Sequence, residues 1–159
     1  MLFRSVEKAK HKFFFYQNKF SYESVAVTCK GFEVKTNDKP VLVLGNSGTP
    51  SNNHLDMAEH LRSSGFSGEL IVPLSYGSAN YISQIKSAFD IPGCKINFLE
   101  QYVPFEKYLK MLAGTDGLIM NTLRPQGYGN IFMMMMLGKK VFLNPNNSSL
   151  SDLTRMNLD

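Results

Sequence analysis

The sequence predicts one α/β domain, built on a doubly wound, mostly parallel five-stranded sheet with helices on both faces. Two observations predict this fold class. From residue 40 onward, short apolar runs alternate with segments of helical periodicity, and the connections between them are short. The apolar runs are continuous, as expected of strands that are covered on both faces. Repeated strand–helix units of this kind form a parallel, Rossmann-like sheet, and 159 residues are enough for one such domain.

The strands are predicted from apolar runs that are bounded by glycine, proline or polar residues. In chain order they lie at residues 41–44, 70–72, 95–99, 118–120 and 140–143. The helices are predicted from apolar residues spaced three or four positions apart. They lie at residues 51–61, 79–89, 105–112 and 128–137, with the start of another helix after 146–148. Pro104 opens the third helix and Gly138 ends the fourth.

The two ends of the chain depart from this alternation. The sequence stops at Asp159 inside the start of a helix, so we expect a domain truncated at its C-terminus. Residues 1–39 are assigned as a separate basic and aromatic segment, and residues 40–159 as the sheet domain. The segment holds 8 of the 17 Lys and Arg residues, and it could contact an anionic membrane surface. We favour the alternative, a helix of a neighbouring domain with its Phe side chains packed as core.

Composition and charge exclude several classes of protein. The chain is 43% hydrophobic and 19% charged, and no apolar run approaches the roughly 20 residues that span a bilayer. Residues 41–159 carry no net charge, so a nucleic acid partner is not expected. Cys29 and Cys94 are isolated and no signal peptide is evident, which indicates a reducing, cytoplasmic location. No group of His, Cys, Asp or Glu has ligand spacing, so no metal or other cofactor is expected.

Two glycine loops, after the first and fourth strands, are the main candidates for a binding site. In a doubly wound sheet, ligands bind beyond the carboxyl ends of the strands, near the reversal of strand order. Glycine leaves the N–H groups of a helix start unobstructed for phosphate oxygens. The candidates for diphosphate contacts are Gly45, Asn46, Ser47, Gly48, Ser51, His54, Arg124, Gln126, Gly127, Gly129 and Asn130. Tyr76, Glu100 and Asn121 follow strands two, three and four and are candidates for contacts with a base or sugar.

The fourth loop has the stronger physical case. Arg124 offers a fork of donors that suits phosphate, and the helix that follows is apolar on every side and therefore predicted to be buried. Its four consecutive Met residues are interpreted as adaptable core filler rather than as a thioether metal site. His54, one turn into the first helix, could donate to a phosphate or sugar hydroxyl, or could be an ordinary packing histidine.

With these loops assigned, the chain resembles a known family. Residues 43–54, which read VLGNSGTPSNNH, are similar to the GNSGxxSNxH signature of the 4-alpha-L-fucosyltransferases of glycosyltransferase family 56. These are the TDP-N-acetylfucosamine:lipid II N-acetylfucosaminyltransferases of enterobacterial common antigen synthesis. Residues 71–77, 105–109 and 124–130 agree in order and spacing, the last resembling RQQGxG with Pro125 and Asn130 as departures. The resemblance covers about residues 40–150.

The resemblance implies a GT-B architecture, two Rossmann-like domains facing across a cleft, of which this chain matches the donor-binding half. It implies that the first and fourth loops contact the diphosphate and sugar of the donor, and that residues 99–102 meet the base through backbone atoms. A metal is not required in this architecture, because arginine and helix N-termini meet the charge of the leaving diphosphate. The implied partners are a TDP- or other nucleotide-linked deoxy sugar and a lipid-linked acceptor held by an absent N-terminal domain.

The leading hypothesis is therefore the donor-binding domain of a glycosyltransferase that transfers an N-acetylfucosamine-type or fucose sugar. It would lie in the cytoplasm, with peripheral contact to the inner membrane as an option, and this piece alone is expected to bind nucleotide without transferring sugar. The residues leave the catalytic base and the inverting or retaining outcome open. The alternative is a non-catalytic Rossmann-like nucleotide-binding or interaction module. A phospho-receiver is disfavoured because Asn46 and Ser47 stand where its acidic pair would be.

Overall fold

A computed structural model describes residues 37–155 of the chain. The predicted basic and aromatic segment therefore lies outside the described residues, apart from residues 37–39. Five strands form one sheet in the order β3-β2-β1-β4-β5, and every neighbouring pair is parallel. The strands are β1 (Val41–Leu44), β2 (Gly68–Pro73), β3 (Cys94–Leu99), β4 (Gly117–Met120) and β5 (Lys140–Leu143). The predicted Rossmann-like, doubly wound α/β fold is confirmed.

Five helices connect and follow the strands within the described residues. They are α1 (His54–Ser63), α2 (Ala79–Ala88), α3 (Phe105–Ala113), α4 (Tyr128–Met136) and α5 (Ser149–Arg155). The predicted helix over 51–61 differs at its start, where a single 3-10 turn, Pro50–Asn52, precedes α1. The two are separated because Asn53 has a φ of +49°, a left-handed conformation that interrupts a right-handed helix.

Two apolar cores lie on the two faces of the sheet, and β1 contributes to both. Val43 packs with α3, α4 and Leu153 of α5, whereas Leu42 and Leu44 pack with α1 and α2. This division follows from the alternation of side chains along a strand. The continuous apolar pattern of β1 therefore reflects burial on both faces, as predicted.

Helix α4 is buried over its central residues, as its apolar sequence predicts. Ile131, Phe132, Met133 and Met134 are all buried members of one core cluster. Met135 and Met136 pack against the same cluster. The methionines of α4 are thus core side chains, which confirms the interpretation as core filler.

Strand β1 lies between β2 and β4, so the strand order reverses there. Helices α1 and α2 cover one face and α3 and α4 the other, which leaves the loops after β1 and β4 at the carboxyl edge of the sheet. Clefts at this position are the usual ligand sites of doubly wound folds. Within residues 37–155, no helix combines the length and apolar character needed to cross a bilayer.

Candidate functional site

A cleft of about 450 Å³ opens above the carboxyl ends of β1, β2 and β3, between α3 and the start of α4. Its lining includes glycine, amide, hydroxyl and aromatic groups. The lining residues are Asn46, Pro73, Ser75, Tyr76, Leu99, Gln101, Tyr102, Val103, Tyr108, Gly127, Gly129 and Asn130. None of these residues is charged, so no carboxylate in the lining would repel an anion.

The N-terminus of α4 lies at this cleft and has no side-chain cap. Gly127 is the N-cap residue, with a φ of +70°, and Gly129 is in the first turn. A Cβ on Gly127 would lie 2.5 Å from the Cε atom of Met120, whereas a Cβ on Gly129 would meet no atom within 4 Å. The backbone of the first turn is therefore open to a ligand, and the helix dipole favours a negative group there.

A hydrogen-bond network joins the first and fourth loops beside the cleft. Gln126 Nε2 donates to Asn46 Oδ1 at 3.0 Å, and Ser51 Oγ donates to Gln126 Oε1 at 2.7 Å. Arg124 donates from Nη2 to Ser51 Oγ and from Nε to Gln126 Oε1, both at 3.3 Å. The structure thus brings the two loops together as the sequence predicts. Arg124 is exposed next to the cleft without lining it.

The backbone of the first loop is already hydrogen-bonded within the protein. Gly45 N donates to Ile119 O at 2.9 Å, and Asn46 N donates to Asn52 Oδ1 at 3.2 Å. Gly48 N donates to Tyr76 O at 2.8 Å. These three N–H groups are not available as a phosphate cradle, in contrast to the expectation from the glycines. The first loop instead presents the side chain of Asn46 to the cleft.

Helix α1 is also closed to an anion at its N-terminus. His54 N donates to the hydroxyl of Tyr81 at 3.1 Å, and the same hydroxyl interacts with the backbone of Leu55. Tyr81 belongs to the core between α1 and α2, and burial raises the pKa of its phenol. Two anion sites were predicted, at the N-termini of α1 and α4. Only the N-terminus of α4 has an open first turn that can bind an anion.

Gly48 and Gly77 are required by the close approach of two loops. They form a parallel bridge, and Ser78 N donates to Gly48 O at 3.0 Å. A Cβ on Gly77 would collide with the backbone of Gly48, and Gly77 has a φ of +139°. A Cβ on Gly48 would collide with Ile82. The predicted site residue Gly48 therefore holds the loop after β1 against the loop after β2.

We expect Gly77→Ala to destabilise the domain by more than Gly65→Ala. Gly65 also has a positive φ, +67°, but an added Cβ there meets no atom within 4 Å, so its cost is backbone strain of about 1 kcal/mol. Gly77→Ala adds a backbone collision to that strain. Urea unfolding of both variants measures the difference, and equal losses would contradict the proposed contact between the loops.

His54 does not line the cleft. Its side chain is 0% exposed, and neither ring nitrogen has a hydrogen-bond partner among residues 37–155. A Cβ placed on Gly45 would lie 2.8 Å from Nε2, which shows how closely the ring packs under the first loop. Desolvation by burial lowers the pKa of His54 to about 4. Direct donation to a ligand, one of the two interpretations of His54, is incompatible with this placement, and the packing role is the one observed.

Protonation of His54 should make the domain less stable at acid pH. Because the folded-state pKa, about 4, lies below the ordinary value of 6.5, the stabilisation is complete above pH 6.5 and is lost as pH falls towards 4. We expect a loss of about 2 kcal/mol in the free energy of unfolding between pH 7 and pH 5.

Denaturant unfolding at both pH values measures this loss. His54→Leu should abolish most of the pH dependence in that range, whereas His60→Gln, at an exposed position of the same helix, serves as the control. If the free energy of unfolding of His54→Leu changes with pH as much as that of the parent chain, the pH dependence comes from other groups.

The three candidates for base or sugar contacts have different positions. Tyr76 lines the cleft, and its hydroxyl accepts from Asn46 Nδ2 at 3.3 Å. Glu100 pairs with Lys86 on the surface at 2.6 Å and does not line the cleft. Asn121 is buried below the first loop and forms a pair of hydrogen bonds with Asn53. Ser47 is likewise buried, 1% exposed, so its side chain is directed inside the loop.

Tyr102 and Tyr108 line the cleft with their side chains. Tyr108 was not among the predicted site residues, whereas Tyr102 belongs to residues 99–102, which the family resemblance implied would meet the base through backbone atoms. Tyr102 is 81% exposed at the rim. Tyr108 shares a hydrogen bond with the side chain of Asn130, and burial raises the pKa of its phenol to about 12. It therefore remains a protonated hydroxyl at physiological pH. The helical spacing of Tyr108 indicated a core residue, and residues 99–102 were expected at the base only through their backbone, so the contribution of the Tyr102 side chain was not predicted.

No group of three or more His, Cys, Asp or Glu residues with metal-binding geometry occurs within the described part of the chain. The polar groups of the cleft are amides and hydroxyls. The expectation that no cofactor is needed stays a prediction.

The chain matches a protein family over nearly its whole length. The family, described as 4-alpha-L-fucosyltransferase glycosyl transferase group 56, matches residues 2–159. This range exceeds the 40–150 covered by the motifs and includes most of the N-terminal segment. The suspected resemblance is confirmed.

A solved structure supports the fold alone. The N-terminal domain of trehalose-6-phosphate phosphatase from Candida albicans superposes with a TM-score of 0.54 at 14% sequence identity. The match covers 94% of this chain and 36% of that structure, so the chain spans about a third of the length of this structural relative. At this identity the likeness carries no information on the ligand.

Proposed function

The chain belongs to the 4-alpha-L-fucosyltransferase family, glycosyl transferase group 56, and we propose that its cleft binds the nucleotide-sugar donor of a glycosyl transfer. The observation that carries this proposal is the uncapped N-terminus of α4, which lies at a cleft without charged lining residues. Such a site accommodates a diphosphate by hydrogen bonding and by the helix dipole. The same cleft also has exposed tyrosine rings, which offer an aromatic surface on which a nucleobase can stack.

The diphosphate is assigned to the first turn of α4. Gly127 and Gly129 bring the backbone close, and the Asn130 side chain, held by Tyr108, lines the same wall. Arg124 is exposed, donates to Ser51 and Gln126 beside this wall, and is assigned to a phosphate as well. When the bond to the sugar breaks, negative charge develops on the leaving diphosphate. Amide donors and an arginine stabilise that charge, which lowers the barrier to transfer.

The nucleobase is assigned to the exposed aromatic side chains of the cleft. Tyr76 is 59% exposed and Tyr102 81% exposed, and both line it together with Leu99 and Val103. Exposed tyrosine rings offer faces on which a base can stack. The side chain of Gln101 adds an amide donor and acceptor to the lining of the same cleft.

The donor sugar and the acceptor follow from the family rather than from the cleft. We propose a TDP- or other nucleotide-linked deoxy sugar, of the N-acetylfucosamine or fucose type, and a lipid-linked glycan as acceptor. A GT-B arrangement would place a second domain opposite the carboxyl edge of the sheet, so that the acceptor would lie between that domain and this edge. The reaction would then occur at the cytoplasmic surface of the inner membrane.

Replacement of Arg124 should weaken diphosphate binding. We expect Arg124→Ala to reduce the affinity for TDP and UDP by about 10-fold, the effect of one charged hydrogen bond. Arg62→Ala, at an exposed arginine on α1 away from the cleft, should leave affinity unchanged. Isothermal titration calorimetry of the whole chain gives both constants.

Two results would count against the donor site. Absence of heat with any nucleoside diphosphate at millimolar concentration would remove the binding proposal itself. Equal affinities in Arg124→Ala and Arg62→Ala would remove only the role of Arg124.

The aromatic side chains of the cleft should distinguish a nucleotide from bare diphosphate. Tyr102→Ala is expected to weaken TDP binding by about 10-fold, within the range measured for base stacking. The same variant should bind pyrophosphate like the parent chain, and Tyr102→Phe should retain TDP affinity. A parallel loss for pyrophosphate and TDP in Tyr102→Ala would place the base elsewhere.

A further inference from the structure

We propose that a second pocket at the same edge of the sheet binds a neutral saccharide unit of the acceptor glycan. The pocket has a volume of about 430 Å³ and lies beside α1, above the ends of β4 and β5. This size is within the range of small-ligand sites. The assignment of the saccharide to the acceptor rests on the proposed transfer reaction, whereas the presence of a saccharide site can be tested without it.

The second pocket is adjacent to the cleft but separated from it. Asn53 Nδ2 donates to Asn121 O at 2.8 Å, and Asn121 Nδ2 donates to Asn53 O at 3.1 Å. These two bonds close the space between the loop after β1 and the loop after β4. Asn121 lines the second pocket, whereas Asn46 and Gly127 line the cleft. The two sites therefore flank the reversal of strand order, where ligands of this fold meet.

The α1 side of the second pocket has two polar side chains that form no hydrogen bond or ion pair with the rest of the described residues. Asp56 and His60 lie one helical turn apart on α1, and both are exposed. Within residues 37–155, neither side chain forms a hydrogen bond or an ion pair with another residue. A carboxylate accepts hydrogen bonds from hydroxyl groups, and an imidazole can both donate and accept. These capacities match the hydroxyl groups of a sugar.

The β5 side of the lining combines a fixed amide with an exposed aromatic ring. Asn144 Nδ2 donates to Asn121 Oδ1 at 2.7 Å, and Asn144 Oδ1 accepts from Asn146 N at 2.9 Å, so the orientation of this amide is set. Phe142 is 48% exposed on β5 and also lines the pocket. The C–H face of a pyranose ring can pack on such a ring while its hydroxyl groups reach Asp56 and His60.

The two sites differ in charge, and this difference favours an anionic ligand in the cleft and a neutral ligand in the second pocket. The second pocket has one carboxylate and no Lys or Arg in its lining, whereas the cleft has no carboxylate and has Arg124 beside it. An anion such as a diphosphate is therefore favoured in the cleft and disfavoured near Asp56. A neutral, hydroxyl-rich ligand does not meet this penalty in the second pocket. The donor and the acceptor sugar can thus occupy neighbouring sites without competing.

Nuclear magnetic resonance titration of the whole, ¹⁵N-labelled chain tests this proposal. The probes are methyl α-L-fucopyranoside and N,N′-diacetylchitobiose, two neutral saccharides, with TDP titrated separately. We expect the saccharides to shift the amide signals of Asp56, His60 and Asn144. Asp56→Asn should weaken the saccharide affinity by about 10-fold, since a charged hydrogen-bond acceptor is lost. Glu59→Gln, a neighbouring exposed carboxylate that lines neither site, should have no effect.

The outcomes separate this inference from the donor proposal. Saccharide shifts at the second pocket that persist with saturating TDP support it, and they do so even if TDP itself fails to bind. Absence of saccharide shifts at millimolar concentration, or shifts confined to the residues of the cleft, would overturn it. Equal affinities in Asp56→Asn and Glu59→Gln would overturn it as well. Phe142→Ala gives a second check, because loss of the ring should weaken saccharide binding and leave TDP binding unchanged.

Discussion

The parallel pairing of β1 with β4 is the contact on which the organisation of this domain depends. It is continued beyond the strands by the bond from Gly45 N to Ile119 O, which draws the loop after β1 towards the end of β4. Gln126 can then reach Asn46 and Ser51 across the junction, and Asn53 can pair with Asn121. The cleft and the second pocket lie on either side of this junction. Both exist because the strand order reverses there.

The two glycine loops look alike as sequences but have different physical roles. In the first, glycines allow close packing, and the amides of Gly45, Asn46 and Gly48 are bonded internally. In the fourth, Gly127 starts a helix with no side-chain cap, and Gly129 leaves the surface of its first turn open. Glycine serves both needs, because a missing Cβ makes room equally for protein backbone and for a ligand. The two loops differ in what their backbone N–H groups bind: those of the first loop bind other groups of the protein, whereas those at the start of α4 are assigned to the ligand.

The fold could be predicted from sequence because its signals are local. Apolar runs and helical spacing located every strand and helix of the described domain to within a few residues, and the crossover rule supplied the parallel pairing. The site was predictable as an edge of the sheet but less so as individual contacts. The burial of His54 and the hydrogen bond from its backbone N–H to Tyr81 depend on packing between α1 and α2, because these two residues are 27 positions apart in sequence. The exposure of Tyr102 and the Tyr108–Asn130 contact likewise depend on tertiary structure, which spacing does not reveal.

The internal bonding of the first loop has a consequence for binding thermodynamics. Asn52 is fully buried, and its side chain bonds to Asn46, Ser47 and Thr49, so these residues are ordered before any ligand arrives. The conformational entropy of this loop is lost during folding rather than during association. The wall that Asn46 contributes to the cleft is therefore preorganised, and a ligand meets it without the free-energy cost of loop ordering. Association at that wall should resemble rigid docking, with adaptation left to exposed side chains such as Arg124.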